Sequence, residues 1–205
     1  MKSIRILLVI VLSLFNPLIS CINQGDPWGE CPDTHPYFAI QGIKSYNYQS
    51  TTIGPRAVDQ ATETPWDSFF IRYEMEVDYI AQRIDRNGSL MALSCVEGGY
   101  KGDKIGIDTL YVKTVNDYSD NYSAGAVVND IVVMNIITNS TNDFDSFFSL
   151  EDYISNNEEG VLYYFFEIKL TEGPSQSGAQ IFELEYVLND GQTFTDISTS
   201  VILSN

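Results

Sequence analysis

Histidine is almost absent from this chain, which contains only His35, followed directly by Pro36. Catalytic triads and zinc sites depend on imidazole, so a single histidine in a turn-rich segment supplies neither a catalytic base nor a metal ligand set. No glycine-rich phosphate loop follows an apolar segment. The 28 carboxylates leave acid–base chemistry by a carboxylate pair open, but nothing in their order marks such a pair. We therefore predict no catalytic residue, no metal site and no cofactor.

Positive charge is also scarce, because 11 Lys and Arg face 28 Asp and Glu, for a formal net charge of −17. An acidic surface repels phosphate backbones, which excludes nucleic acid as an expected partner. It equally repels anionic lipid headgroups. Any attachment to a membrane must then come from a group other than a basic patch.

Long apolar runs are missing too, since residues 6–15 form the longest and fall short of the roughly 20 needed to span a bilayer. Lys2 and Arg5 precede this run, as in an export signal. Residues 18–21 read Leu-Ile-Ser-Cys and resemble the lipobox of bacterial lipoproteins. The resemblance implies cleavage before Cys21 and diacylglycerol on its sulfur. The alternative is a secreted protein with Cys21 in a disulfide, but Leu18 is large for the ordinary signal peptidase.

Only two cysteines remain once Cys21 carries lipid, namely Cys31 and Cys95. Exported proteins meet an oxidising environment, so we predict that these two form a disulfide, with two free thiols as the alternative. Residues 22–36 show no period of 2 or 3.6 and contain Gly, Pro and Asp. We predict a signal peptide over residues 1–20 and a tether over residues 21–36.

From residue 37 onward, apolar and polar residues alternate in short segments separated by turn residues. The clearest segment is 71–79, in which Arg72, Glu74, Glu76 and Asp78 alternate with Ile71, Tyr73, Met75, Val77 and Tyr79. This period of two predicts a strand with one buried and one hydrated face. Further strands are predicted over residues 37–46, 90–96, 105–115, 131–137, 161–170, 182–188 and 193–203. The apolar face shifts between Ile107 and Leu110, which predicts a β-bulge.

Two local signals complete the fold prediction. Ser149 and Asp152 form a capping-box pattern that predicts a short helix over residues 149–156. Residues 189–191, Asn-Asp-Gly, predict a hairpin turn. No alternation of strands with helices is present, which is typical of all-β proteins. We predict a single domain over residues 37–205, an antiparallel β-sandwich of immunoglobulin-like or similar type, with seven to eight strands and one short helix.

Several soft motifs together resemble a family of small lipoproteins from Bacteroidota that is known as a domain of unknown function. They are the lipobox, Cys31-Pro32, the segment 37–42, the segment 122–130 and the hairpin at 188–191. The resemblance implies a β-rich envelope lipoprotein without a known activity, so we expect a lipid-anchored protein of the outer membrane. Surface proteins of this family carry acids directly after the lipidated cysteine. Here the first acid is Asp26, which leaves both the periplasmic and the surface face open.

Possible ligand contacts are of two kinds. Residues 116–121 and 142–145 are rich in Asn and Asp oxygens, which suit calcium but also ordinary hydrogen-bonded turns, the interpretation we favour. Tyrosines at strand ends could stack on a sugar or bind a protein partner. They could instead cover the core with their rings while their hydroxyls contact water, and this is the interpretation we favour. These residues are Tyr46, Tyr48, Tyr100, Tyr118 and Tyr122. We expect a non-enzymatic binding or structural module with an unknown protein or glycan partner. The alternative is a carbohydrate-binding or carbohydrate-active accessory protein.

Overall fold

Twelve β-strands and one α-helix are present in residues 37–80, 102–136 and 147–205, the part of the chain that the computed structural model describes. The strands are β1 (Phe38–Thr51), β2 (Gly54–Ala57), β3 (Glu63–Pro65), β4 (Phe69–Tyr79), β5 (Ile107–Thr114), β6 (Val132–Ile136), β7 (Phe148–Ser149), β8 (Phe165–Leu170), β9 (Gly178–Gln180), β10 (Phe182–Leu188), β11 (Thr193–Ile197) and β12 (Val201–Ser204). Helix α1 is Leu150–Asn156, and short 3-10 turns occupy Trp66–Ser68 and Asn129–Ile131. No helix among these residues is long and apolar enough to cross a membrane.

The strands form three sheets. The largest has six strands in the order β2-β1-β4-β8-β6-β7, and two three-stranded sheets have the orders β11-β10-β5 and β3-β12-β9. All pairs are antiparallel except β3 with β12. The predicted all-β, antiparallel sandwich is confirmed. The strand number exceeds the predicted seven to eight because β2, β3, β7 and β9 are too short to show alternation.

The alternation in β4 determines which side chains face the core. Ile71, Tyr73 and Met75 are buried, while Glu74 and Glu76 are exposed on the other face. The predicted bulge in β5 is also present, since Val187 pairs with Thr109 and the next residue, Leu188, with Ile107. The extra residue returns the apolar side chains on both sides of the bulge to the core.

One apolar cluster joins the six-stranded sheet to the β5-β10-β11 sheet, and aromatic rings form its centre. The rings of Tyr73 and Phe166 stack at 5.3 Å between centroids, and Phe166 lies 5.4 Å from Tyr153. Tyr153 belongs to α1, whose predicted cap is confirmed, because the Ser149 hydroxyl accepts from the Asp152 N–H at 3.1 Å. The Asp196 carboxylate on β11 accepts from the backbone N–H of Ser45 on β1 at 2.8 Å and so links the two sheets.

The hydroxyl of Tyr73 is buried without a hydrogen-bond partner among the described residues, and burial raises its pKa. Removing an unsatisfied buried hydroxyl relieves a desolvation cost. We therefore expect Tyr73→Phe to leave the free energy of unfolding unchanged or to raise it by up to about 1 kcal/mol. The Tyr153 hydroxyl instead lies 3.2 Å from that of Tyr186, so Tyr153→Phe should cost about 1 kcal/mol. Urea titration of both variants makes the comparison, and a larger loss for Tyr73→Phe would contradict it.

Candidate functional site

A groove of about 500 Å³ lies against the outer face of the six-stranded sheet, the face turned away from the core. The β1–β2 turn forms one side, and Phe147 lies on the other side. We call this feature the outer groove. It is lined by Ser50, Thr51, Thr52, Ile53, Gly54, Pro55, Phe70, Phe147, Glu167 and Lys169. Its volume is within the range of small-molecule sites.

Strand alternation and register build the floor of the outer groove. Because Phe69 and Ile71 face the core, Phe70 and Arg72 must face outward. Phe70 pairs with Lys169 on β8, and Arg72 pairs with Glu167. These four side chains therefore lie side by side on two neighbouring strands.

A buried ion pair fixes the position of the charged groups. Glu167 is 3% exposed, and its Oε1 accepts from the Nη2 of Arg72 at 2.6 Å and from the Nε at 3.1 Å. The other oxygen, Oε2, accepts from the side-chain amide of Asn135 on β6 at 3.4 Å. The Arg72 guanidinium also lies 4.8 Å from the centre of the Tyr48 ring. The carboxylate is therefore committed to neighbouring side chains through both oxygens.

Aromatic and apolar groups surround this ion pair. The rings of Tyr48 and Phe70 stack with centroids 5.5 Å apart and planes 13° apart. The Lys169 ammonium lies 5.7 Å from the centre of the Phe147 ring. At the tip of the β1–β2 turn, Ile53 is 99% exposed. The turn itself is fixed by the Thr51 hydroxyl, which donates to the Gly54 carbonyl at 2.7 Å, and Gly54 has a φ of +123°.

The outer groove contains one carboxylate among the described residues, that of Glu167. Asp103, another buried carboxylate, accepts from the backbone N–H groups of Ile40 and Ile105 and belongs to the opposite end of β1. Hydrolysis of a glycosidic bond by two carboxylates needs both of them beside one substrate. The described residues offer no such pair in the outer groove, and its geometry suits binding.

The cysteines and the histidine of the sequence analysis lie outside the described residues. Lipid attachment at Cys21 and a disulfide between Cys31 and Cys95 therefore stay predictions. The same holds for Tyr100, for the strand at residues 90–96 and for the calcium hypothesis at 142–145. The tether over residues 21–36 also lies outside, as does the signal peptide over residues 1–20.

The other oxygen-rich segment, residues 116–121, is described and forms a loop after β5. The Asp117 carboxylate accepts from the Ala124 N–H at 2.8 Å, and the Tyr118 hydroxyl donates to the Glu172 carbonyl at 2.5 Å. No group of three possible metal-binding acids, histidines or cysteines occurs among the described residues. The Asp117 carboxylate thus stabilises a turn of its own loop. Whether this loop binds calcium stays a hypothesis.

Of the five strand-end tyrosines, the four that the structure describes do not form one ring at one end of the sandwich. Tyr46 and Tyr48 lie on the outer face, whereas Tyr118 is buried in the core. The Tyr122 hydroxyl donates to Asp130 at 2.6 Å, and this hydrogen bond raises the pKa of Tyr122 to about 12. Two of these tyrosines lie beside the ion pair of the outer groove: the Tyr48 ring is 4.8 Å from the Arg72 guanidinium, and Tyr46 is the partner of Arg72 in the β1–β4 register.

Arg72 and Glu167 are the site residues that sequence reasoning missed. Arg72 was assigned to the hydrated face of its strand, and Glu167 is one of the polar residues that alternate with the apolar face of segment 161–170. Both side chains do lie on the outer face of the sheet, as this alternation predicts. A signal for the site would have required the β4–β8 register, which no local pattern contains.

Comparison of the chain with protein-family models, with curated proteins and with solved structures found no match in any of the three. The resemblance to Bacteroidota lipoproteins therefore stays a prediction that rests on the motifs quoted above. No known site can be transferred to the outer groove, so its interpretation depends on the geometry and chemistry of its own residues.

Proposed function

We propose that this chain is a lipid-anchored lipoprotein of the bacterial outer membrane that acts as a non-enzymatic binding module. Its ligand site is the outer groove. The observation that supports the proposal is the ion pair of buried Glu167 with partly buried Arg72, on a sheet face that alternation alone would leave hydrated. Cys21 supplies the membrane attachment, and the β-sandwich presents the groove.

The ion pair supports a binding role because burying it is unfavourable in free energy and does little for the stability of the sheet. Removing a carboxylate from water is unfavourable, and a pairing with arginine at best offsets much of that cost. An apolar pair of similar volume would stabilise the sheet as well or better. What the pair does provide is a rigid arrangement of polar atoms beside aromatic rings, which lowers the entropy lost when a ligand binds.

Carbohydrate is the ligand class that the aromatic groups favour. Phe70 and Phe147 both line the outer groove, and Tyr48 stacks on Phe70. Rings of this kind pack against the apolar face of a sugar, while hydroxyl groups such as those of Ser50 and Thr51 can bond to its hydroxyls. This is the alternative function that the sequence suggested, and it uses the same surface.

Filling the groove tests the proposal. Ser50 is two residues beyond Tyr48 on β1 and faces the same way, so Ser50→Trp should occupy the groove. Thr195→Trp on β11 adds the same side chain at an exposed position in another sheet and is the matched control. Isothermal titration of the mature protein against a panel of neutral and acidic oligosaccharides should find a ligand. Ser50→Trp should weaken its binding at least tenfold, and Thr195→Trp should not.

Two results would contradict the proposal. One is a ligand whose affinity is equal in Ser50→Trp and in the unchanged protein, because that ligand binds elsewhere. The other is release of new reducing ends from a bound oligosaccharide at a rate above that of buffer, which would show a hydrolase.

A further inference from the structure

We infer that the ligand of the outer groove is an acidic sugar, whose carboxylate pairs with the ammonium of Lys169. This inference rests on the proposed function, because it specifies the ligand of the same groove. It starts from the distribution of positive charge. Six cations occur among the described residues, and two of them are associated with the groove: Lys169 lines it, and Arg72 pairs with Glu167, which lines it. The others are Lys44, Arg56, Lys104 and Lys113.

The two cations of the groove differ in what they already bind. Arg72 is neutralised by Glu167, which accepts two hydrogen bonds from it. Lys169 makes no ion pair with any carboxylate of the described residues. Glu167 is two residues away on the same face of β8, but its oxygens are committed to Arg72 and Asn135. Among the described residues, the groove therefore has one positive charge without an ion-pair partner, that of Lys169.

The positive charge of Lys169 is unusual on a protein that is acidic overall. The chain as a whole has a formal charge of −17, which repels anions from most of its surface. A local positive charge in a groove is then selective, because an anionic ligand is favoured there and disfavoured elsewhere. Lysine in a hydrogen bond to a carboxylate gives one of the stronger polar contacts available to a protein.

The surroundings of Lys169 restrict the shape of the anion. Phe70 lies directly opposite Lys169 in the β4–β8 register, and Phe147 lies below its ammonium. Phe147 lines the groove beside the ammonium, so a ligand that pairs with Lys169 meets an aromatic ring there, whereas Phe70 is only 5% exposed. The turn adds hydroxyl groups of Ser50, Thr51 and Thr52. An apolar ring face, several hydroxyls and a carboxylate together describe a uronic acid type of sugar.

The test compares trigalacturonate with its methyl ester, which has the same rings and no negative charge. Both are titrated calorimetrically into the mature protein in detergent micelles. We expect the acid to bind at least tenfold more tightly than the ester. Lys169→Gln should remove this preference, and Lys169→Arg should retain most of it. Lys44→Gln, which removes an exposed lysine on the same sheet outside the groove, should change nothing.

Equal affinity for acid and ester, no binding of either, or a preference that survives in Lys169→Gln would overturn the inference. Stronger binding of galactose 6-phosphate than of the acid would overturn it in favour of a phosphate ligand. If acid and ester bind equally and Ser50→Trp blocks both, this inference fails while the proposed function stands. If Ser50→Trp blocks neither, the proposed function itself fails. Urea midpoints of the Lys169 variants verify that they fold.

Discussion

A chain with Cys21 replaced by serine will incorporate no labelled palmitate, whereas the unchanged chain will be labelled in every mature molecule. The reason is chemical, because the predicted diacylglyceryl group is attached to the cysteine sulfur through a thioether that serine cannot form. One acyl chain alone anchors a protein only marginally, so we expect membrane attachment to depend on both chains of this group. The measurement is metabolic labelling followed by electrophoresis of membrane and soluble fractions.

Ser20→Ala is the matched control for this variant. It alters the neighbouring residue but keeps a small side chain before the cysteine, so labelling should persist. Absence of label in the unchanged chain would contradict the lipoprotein assignment. The ordinary secreted alternative, in which Cys21 is a disulfide partner, would then be favoured.

The second large effect concerns the stability of the sheet. Glu167→Ala should lower the free energy of unfolding by about 3 kcal/mol, since it leaves the guanidinium of Arg72 without its acceptor in a partly buried position. Glu76→Ala also removes a carboxylate from an ion pair on the same sheet, that with Lys44. Both groups of that pair are about half exposed, so this control should show no measurable loss. Urea titration of each variant provides the comparison.

A double substitution separates the free-energy cost of leaving one charge unpaired from the net contribution of the ion pair to stability. Replacing both Arg72 and Glu167 by leucine should recover most of the stability lost in Glu167→Ala, because it leaves no charge unpaired. Only the long hydrogen bond from the Asn135 amide is then lost. A double variant as unstable as the single one would contradict this reasoning. It would indicate that the pair stabilises the sheet by its own attraction.

Local patterns predicted the local structure well. The alternation of residues 71–79 appears as β4, and the bulge in β5 lies where the apolar face shifts. The turn at residues 189–191 is present, with Gly191 at a φ of +87° and its N–H bonded to the Leu188 carbonyl. These features depend on residues that are close together in the chain, so local sequence patterns are enough to predict them.

Features that depend on distant residues were not predictable. The segment 193–203 resembles one strand but divides into β11 and β12, which belong to different sheets. Between these strands, the Ser198 hydroxyl accepts from the Phe182 N–H at 2.9 Å, and a contact between such distant residues has no local signature. Arg72 and Glu167 are 95 positions apart in the chain and meet only through the pairing of β4 with β8.

The most direct test of the central claim is to map the ligand on the protein by amide chemical shifts. Isotope-labelled mature protein in micelles is titrated with trigalacturonate, or with the panel oligosaccharide that binds most tightly. The account predicts shifts at Ser50 to Gly54, at Phe70 and at Lys169, with β10 and β11 unchanged. Shifts concentrated on β10 and β11, or in the loop at residues 116–121, with none in the outer groove, would contradict it.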